Sequence, residues 1–256
     1  MTQERRKTYF FNMRKYHNHI KRSMYNKYSK PHDKLLELAV GKGGDLDKWV
    51  KNKISQVHGY DIDKASIKEA KNRVKKIKSI DPPKIKLHVK DLSEKILKGK
   101  NDVDIVSCMF AFHYFLRDKE SFENIMTSIN NNIKPGGVFM GTLFDGKSIL
   151  NVLKNNSFEL TKMTGEVVFD IKKKNKNTSF FGQTMSVFIG ETVLDTPADE
   201  YIVDFEKLTE KLSSYGFVLL ESKMFEDFYE DKFKLNTNSK TISFLNRNFV
   251  FKKIKN

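Results

Sequence analysis

Five short apolar runs succeed one another between residues 35 and 145: LLELAV, VHGYDID, KIKLHVKD, VDIVSCMF and GVFMGTLFD. The first is too short for a globular helix and does not alternate, so it reads as a strand buried on both faces. Strands of that kind lie parallel, and parallel strands need crossover segments. GDLDKWVKNK, KASIKEAKNRVKK and SFENIMTSINNNI supply them, the second with Ile67, Ala70 and Val74 on one helical face. The pattern predicts an α/β protein with a doubly wound, mostly parallel sheet. Ligands in such sheets sit beyond the carboxyl ends of the strands, which gathers GKGG, DID, KDL, MFAFHY and FDG around one crevice.

From about residue 157 to 200 the pattern changes. SFELTKM, EVVFDIKKKNKN and QTMSVFIG read as antiparallel strands joined by a lysine-rich loop, an insertion placed to serve as a lid or substrate wall. The helix FEKLTEKLSSYG and the closing strands FVLLES and FVFKK follow, the last two suited to antiparallel pairing at the sheet edge. Residues 1–30 read as a basic helical segment with Tyr16, Ile20 and Met24 on one face, and the whole chain as one domain, 1–256.

A formal charge of +15 favours a polyanionic partner, nucleic acid first, although lysine- and asparagine-rich coding gives the same bias. One cysteine, Cys108, excludes an internal disulfide framework and reads as a small buried hydrophobe. The charged start MTQERRK carries no apolar leader and no run approaches a membrane span, so the expected setting is the cytoplasm or nucleus. His17 and His19 lack a second pair of ligands for a metal. The acidic cluster EDFYED, residues 226–231, reads as a solvent face.

Gly41, Gly43 and Gly44 let the backbone turn and approach a bound molecule. The loop matches neither the dinucleotide pattern G-x-G-x-x-G nor the phosphate loop G-x-x-x-x-G-K-[ST]. Asp61, twenty residues beyond Gly41 at the second strand tip, is placed to accept two ribose hydroxyls, and Asp91 at the third tip to accept an exocyclic adenine amine. Either acid alone serves equally well as a helix cap. Together with the glycine loop they point to the S-adenosylmethionine site of a class I methyltransferase.

GKGGDLDKW, GYDID with SIKEA, SCMFAFHY and KPGGVFMGT resemble, in order and spacing, the motifs of eukaryotic and large-DNA-virus mRNA cap guanine-N7 methyltransferases, from about residue 12 to the C-terminus. The resemblance implies a Rossmann-like seven-stranded sheet with the β-rich insertion after the fifth strand. It implies S-adenosylmethionine as cofactor, 5′-capped mRNA as substrate, and other capping domains or subunits as partners. Lys21, Ala39, Gly41, Lys42, Asp61, Ile62, Asp91, Leu92, Met109 and Tyr114 would hold the cofactor. Tyr16, His17, Asn18, Lys42, His113, Tyr114, Phe144 and Glu200 would hold the cap, Glu200 accepting from guanine N1–H and N2–H2. Ala39 stands where relatives have glycine, Met109 where they have glutamine, Phe144 where they have proline, and Leu245 or Phe249 where a terminal tyrosine is usual. Guanine N7 carries a free lone pair, so the implied reaction needs no general base. His113, Tyr114 and Glu200 would orient the base, with no catalytic acid–base pair. A methyltransferase of another substrate, or a catalytically weak cap-binding or regulatory relative, stays open as an alternative.

Overall fold

The computed structural model describes residues 8–254 except 193 and 195; the first seven residues of the basic segment lie outside the described residues. The chain opens with helix α1 (Phe11–Tyr28) and then alternates: β1 (Lys34–Leu38), α2 (Leu46–Lys51), β2 (Gln56–Asp61), α3 (Lys64–Val74), β3 (Lys84–Val89), β4 (Val103–Met109), α4 (Lys119–Asn132), β5 (Ile133–Phe144) and α5 (Gly146–Val152). The insertion holds β6 (Ser157–Thr161), β7 (Val167–Lys173), β8 (Thr184–Ile189) and β9 (Ala198–Tyr201). Helix α6 (Phe205–Ser214), β10 (Phe217–Met224), α7 (Thr237–Phe244) and β11 (Asn246–Lys253) close the chain.

The main sheet has seven strands in the order β10-β11-β5-β4-β1-β2-β3, parallel except for β11, which runs antiparallel to both β5 and β10. In β1, flanked by β2 and β4, residues 35–38 are all buried, as a strand covered on both faces requires. The order reverses between β1 and β4, and the crevice lies outside their carboxyl ends. Aspartates set the helix starts that face this edge: Asp63 accepts from Ala65 N and Ser66 N, Asp118 from Ser121 N, and Asp145 from Ser148 N.

Several elements differ from the sequence expectation. Strand β5 begins at Ile133, before KPGG rather than after it, because Ile133 pairs with Val103 and the ladder then shifts to Ile105 against Val138. The connection 90–102 forms no helix; Leu92 and Leu97 pack with Leu36 and Leu38 instead. The acidic cluster is only half a solvent face. Glu226, Asp227, Glu230 and Asp231 are exposed, while Phe228 is half-buried and Tyr229 lies edge-on to Tyr16.

The insertion is a second, four-stranded antiparallel sheet ordered β6-β7-β8-β9. Its loop after β7 is tied down: Phe180 and Phe181 meet Phe122 with ring centroids 5.9 and 5.7 Å apart, and Lys211 lies over both inserted rings. Gly182 N donates to Leu116 O, so the loop forms a docked wall.

Within the glycine loop Gly41 and Gly43 have φ of +51° and +72°, and Ala39 also lies left-handed at +53°. Size is therefore not what relatives' glycine supplies there; conformation is. A left-handed L-residue costs roughly 1–2 kcal/mol, offset in part by the greater freedom glycine loses on folding. Ala39→Gly is expected to raise stability by about 0.5–1 kcal/mol, read as a higher denaturation midpoint at constant slope.

Candidate active site

Asp61 ends β2 with both carboxylate oxygens aimed at backbone. One accepts from Gly41 N at 2.7 Å and the other from Asp63 N at 2.8 Å. The acid thereby ties the glycine loop to the second strand tip, with lone pairs left over for a diol. Asp91 beyond β3 folds into a tight turn, one oxygen accepting from Ser93 N and Ser93 Oγ; its other oxygen is free for a donor. Together with Ala39, Tyr60, Ile62, Leu92, Tyr114 and residues of the opposite wall these acids line a crevice of about 340 Å3. Ile62 is 65% exposed, an open apolar surface that suits a flat heterocycle.

The end of β4 shapes the far side. Phe110 takes φ +59° and donates its N–H to Thr142 O at 2.9 Å, which turns the chain into a 3-10 segment over Phe112–Leu116. That turn carries His113 and Tyr114. Tyr114 donates its hydroxyl to Glu200 Oε1 at 3.2 Å, and burial followed by the Glu200 charge pushes its phenol well above the usual range, so it remains a donor. His113 Nε2 stands 3.4 Å from Glu200 Oε2 without a hydrogen bond. His113 and Glu200 are 3% and 2% exposed, yet both ring nitrogens and Glu200 Oε2 lack hydrogen-bond partners. Buried polar atoms left in that state fit a bound polar group.

Beneath the glycine loop lies a cluster that sequence reasoning missed. Asp45 Oδ1 is 2.8 Å from Lys21 Nζ and 2.7 Å from Lys48 Nζ, and Lys48 also donates to Asn18 Oδ1. Burial alone would raise Asp45, but the two ammonium groups overcome it and hold the carboxyl below its usual range. Glu37, on β1, accepts from Tyr25 Oη at 2.7 Å and from Ser107 Oγ. Desolvation, then the nearby Asp45 charge, pushes it up to about 8.

The structure gathers some of the sequence-predicted residues and separates others. Ala39, Asp61, Ile62, Asp91, Leu92 and Tyr114 share the crevice, Gly41 holds its floor, and Lys21 stands at the buried acid beside it. Met109 packs its side chain into the core under α1, leaving only backbone for a ligand. Lys42 points outward to Glu69 at 3.6 Å. Of the cap set, His113, Tyr114 and Glu200 cluster. Tyr16 does not: it is fully buried, donates to Phe225 O and packs on Phe225, Tyr229 and Phe233, so it is a core residue. His17 stacks on Phe110 at 5.3 Å and bonds Ser243 Oγ; burial, with Lys21 adding to it, pushes it down to about 3, leaving a neutral packing ring. Asn18 serves Lys48, and Phe144 is 9% exposed in the core beside Ile202 and Ile242. Tyr16 and Phe144 offer no free face to a cap, and the half-buried His17 and Asn18 have their polar atoms engaged within the fold.

The crevice also brings in residues unread from sequence: Tyr60, Lys90, Ser93, Ala111, Phe115, Arg117, Asp199 and Tyr201. Asp199 and Tyr201 alternate with Glu200 on β9, so recognising ADEY as a strand is the signal that would have found them.

A sheet of this order with an acid-tipped crevice at its switch point defines the class I methyltransferase fold. Solved structures agree: the CcbJ methyltransferase of Streptomyces caelestis superposes with a TM-score of 0.64 at 14% identity, over 91% of this chain and 88% of that one. An S-adenosylmethionine-dependent methyltransferase from Clostridium acetobutylicum gives 0.59 at 17%, over 99% and 95%. Those identities speak to fold alone. The family model of the mRNA (guanine-N(7))-methyltransferase domain matches residues 1–254, and the chain belongs to that family. The Saccharomyces cerevisiae mRNA cap guanine-N(7) methyltransferase is 31% identical over 85% of this chain and 53% of that protein. Arabidopsis thaliana mRNA cap guanine-N(7) methyltransferase 1 is 31% identical over 91% and 66%, and a probable mRNA-capping enzyme of Acanthamoeba polyphaga mimivirus 29% over 88% and 23%. The chain thus spans about half the length of the yeast relative.

Glu37 gives this site a pH signature. Between its ordinary value of 4.5 and about 8 the unfolded chain releases the proton while the folded chain keeps it, so Glu37's contribution falls as pH rises through that window. Glu37→Gln is expected to flatten this decline in a urea-denaturation series from pH 5 to pH 8; an unchanged slope would assign it to other groups.

Proposed function

We propose that this chain methylates N7 of the guanosine cap of mRNA. The observation that carries the reading is the buried pair His113 and Glu200, bridged to the crevice by the exposed Tyr114, with a carboxylate oxygen lacking a hydrogen bond. Guanine presents N1–H and N2–H2 side by side, and a buried carboxylate accepts both; adenine offers no such pair and would leave the charge unpaired, a loss of roughly 1–3 kcal/mol or more.

The crevice residues fit S-adenosylmethionine: Asp61 for the ribose hydroxyls, Ile62 and Leu92 for the faces of adenine, Asp91 for its amine, and Lys21 toward the methionine carboxylate. When bound, the cofactor supplies an electrophilic methyl group. The chain's own residues orient and exclude water. Tyr114 belongs to both the crevice and the trio, and so fixes the guanine plane against the cofactor wall. N7 needs no deprotonation, which accords with a site holding an orienting carboxylate and a neutral phenol. Holding two reactants together can lower a barrier by about 7–11 kcal/mol, and the negative Glu200 favours the cationic product.

Capped mRNA is the substrate that family membership and the basic charge support. The match to part of a viral capping enzyme supports a place beside other capping activities, in one polypeptide or in partner subunits. The test is methyl transfer from labelled cofactor to GpppG, with ApppA as control and the product position mapped. Transfer should occur at guanine N7 only, and Glu200→Ala should lower kcat/KM by about 100-fold or more. Full activity in that variant would overturn the role of Glu200.

A further inference from the structure

Strand β3 is an edge of the main sheet, and one of its faces is bare. On the opposite face Val57 and Leu87 pack with Ile67 and Ala70 of α3. On the bare face the parallel register sets Gln56 beside Lys84, His58 beside Lys86, and Tyr60 beside His88. A crossover helix between β3 and β4 would cover these side chains, but the connection 90–102 forms none. Its Leu92 and Leu97 shield Leu36 and Leu38 of β1, one strand further in, and leave His88 exposed with His58 and Tyr60 half-buried.

What remains there is a stack of rings among lysines. His88 lies between His58 and Tyr60, its centroid 6.0 Å from the first at 12° and 4.9 Å from the second at 20°. Lys84 and Lys86 are exposed, and neither they nor Lys90 form an ion pair among the described residues. Residues 84–100 hold six lysines against Asp91 and Glu94. The acid nearest His58, Asp102, is engaged by Lys34 at 2.7 Å. Burial, then His88 and Lys86, lowers the pKa of His58; burial, then Lys71, Lys86 and Lys90, lowers that of His88. Both rings are therefore neutral near pH 7 and suited to stacking. Tyr60 and Lys90 also line the cofactor crevice, so the strip runs into the site.

We propose that this uncovered β2–β3 face is a binding track for single-stranded RNA, its bases stacking on His58 and His88 and its phosphates lying along Lys84 and Lys86. Interleaved aromatic rings and uncompensated lysines on an open sheet match what a single strand presents, a π-face on every base and a charge on every phosphate. Base stacking of this sort tolerates any sequence, so the track adds affinity for transcripts without selecting among them. The proposal rests on the cap reading for its substrate, but not for the binding itself.

The experiment compares His88→Ala and Lys86→Ala with wild type in three measurements: KM for GpppG, KM for a longer capped single-stranded RNA, and anisotropy of uncapped labelled single-stranded RNA across a salt series. Both side chains are exposed, and equal melting temperatures establish intact folding. Each variant should raise KM for the longer RNA about fivefold or more while leaving kcat and the GpppG constants unchanged, and Lys86→Ala should reduce the salt slope of uncapped RNA binding by about one ion. An unchanged KM for the longer RNA, or a Lys86 effect with none from His88, overturns the track as described. If wild type fails on GpppG the cap reading falls, and the anisotropy arm still decides the track.

Discussion

Two lysines and one aspartate beneath the glycine loop hold the site together. Asp45 closes GKGGD and binds Lys48 three residues on, but it also binds Lys21 from α1, so the N-terminal helix is fastened to the loop by charge. All three are almost completely shielded from water. Breaking such a buried set leaves an unpaired charge, a loss of about 3–5 kcal/mol. Met13, Tyr16, Ile20, Met24 and Tyr25 dock α1 by burial, and the ion pair adds to this by holding Lys21 near the crevice. Glu37 lies against the same cluster and takes the opposite protonation tendency, because burial first, and then the Asp45 charge beside it, disfavours its ionised form.

The far side of the crevice depends on a strand of four residues. Strand β9 pairs Glu200 with Met185 of β8, and its alternation turns Glu200 toward His113 and Tyr114 while Asp199 and Tyr201 face the crevice. Asp199 is also held by Lys174 at 2.8 Å, and the loop carrying Lys174 is pinned by Phe180 and Phe181. The insertion therefore presents Glu200, the carboxylate proposed to read guanine, from a braced wall. The lysine-rich loop gives one of its cations to this internal bracing.

Most of the cofactor half was legible in sequence because it is built from local signals. A glycine loop after an apolar run and acids at strand tips depend on spacing along the chain, and Asp61 and Asp91 fall where that spacing puts them. The cap half was legible only through resemblance. Glu200 is buried by pairing with residues fifteen positions away, and ADEY has too little apolar alternation to announce a strand. Tyr16 and Phe144 show the converse. Helical spacing marked Tyr16 as inward-facing, but what lies inward is the aromatic set of residues 225–233, more than two hundred positions later. Phe144 ends β5 at the junction with the insertion, where Ile202 and Ile242 close over it. No local pattern encodes those returns of the chain.

Net charge and site charge are separate matters in this protein. Lys21 and Lys48 are spent on Asp45, Lys42 leans to Glu69, and Lys174 is taken by Asp199. For the buried Lys21 and Lys48, giving up Asp45 to bind a phosphate would cost about what it gained, whereas the half-exposed Lys42 and Lys174 pairs are worth little and cancel charge only locally. Long-range attraction of a polyanion must then come from cations whose charge is not cancelled nearby, as on the edge of β3. Such attraction is screened over about 10 Å at ordinary salt, so in the proposed reading it would raise the encounter rate and hold the chain of the transcript, whereas choice of guanine would be left to Glu200 and His113, which are shielded from salt. The two proposals would thus assign affinity for RNA and selectivity for its cap to different surfaces, which meet at the crevice wall that Tyr60 and Lys90 line.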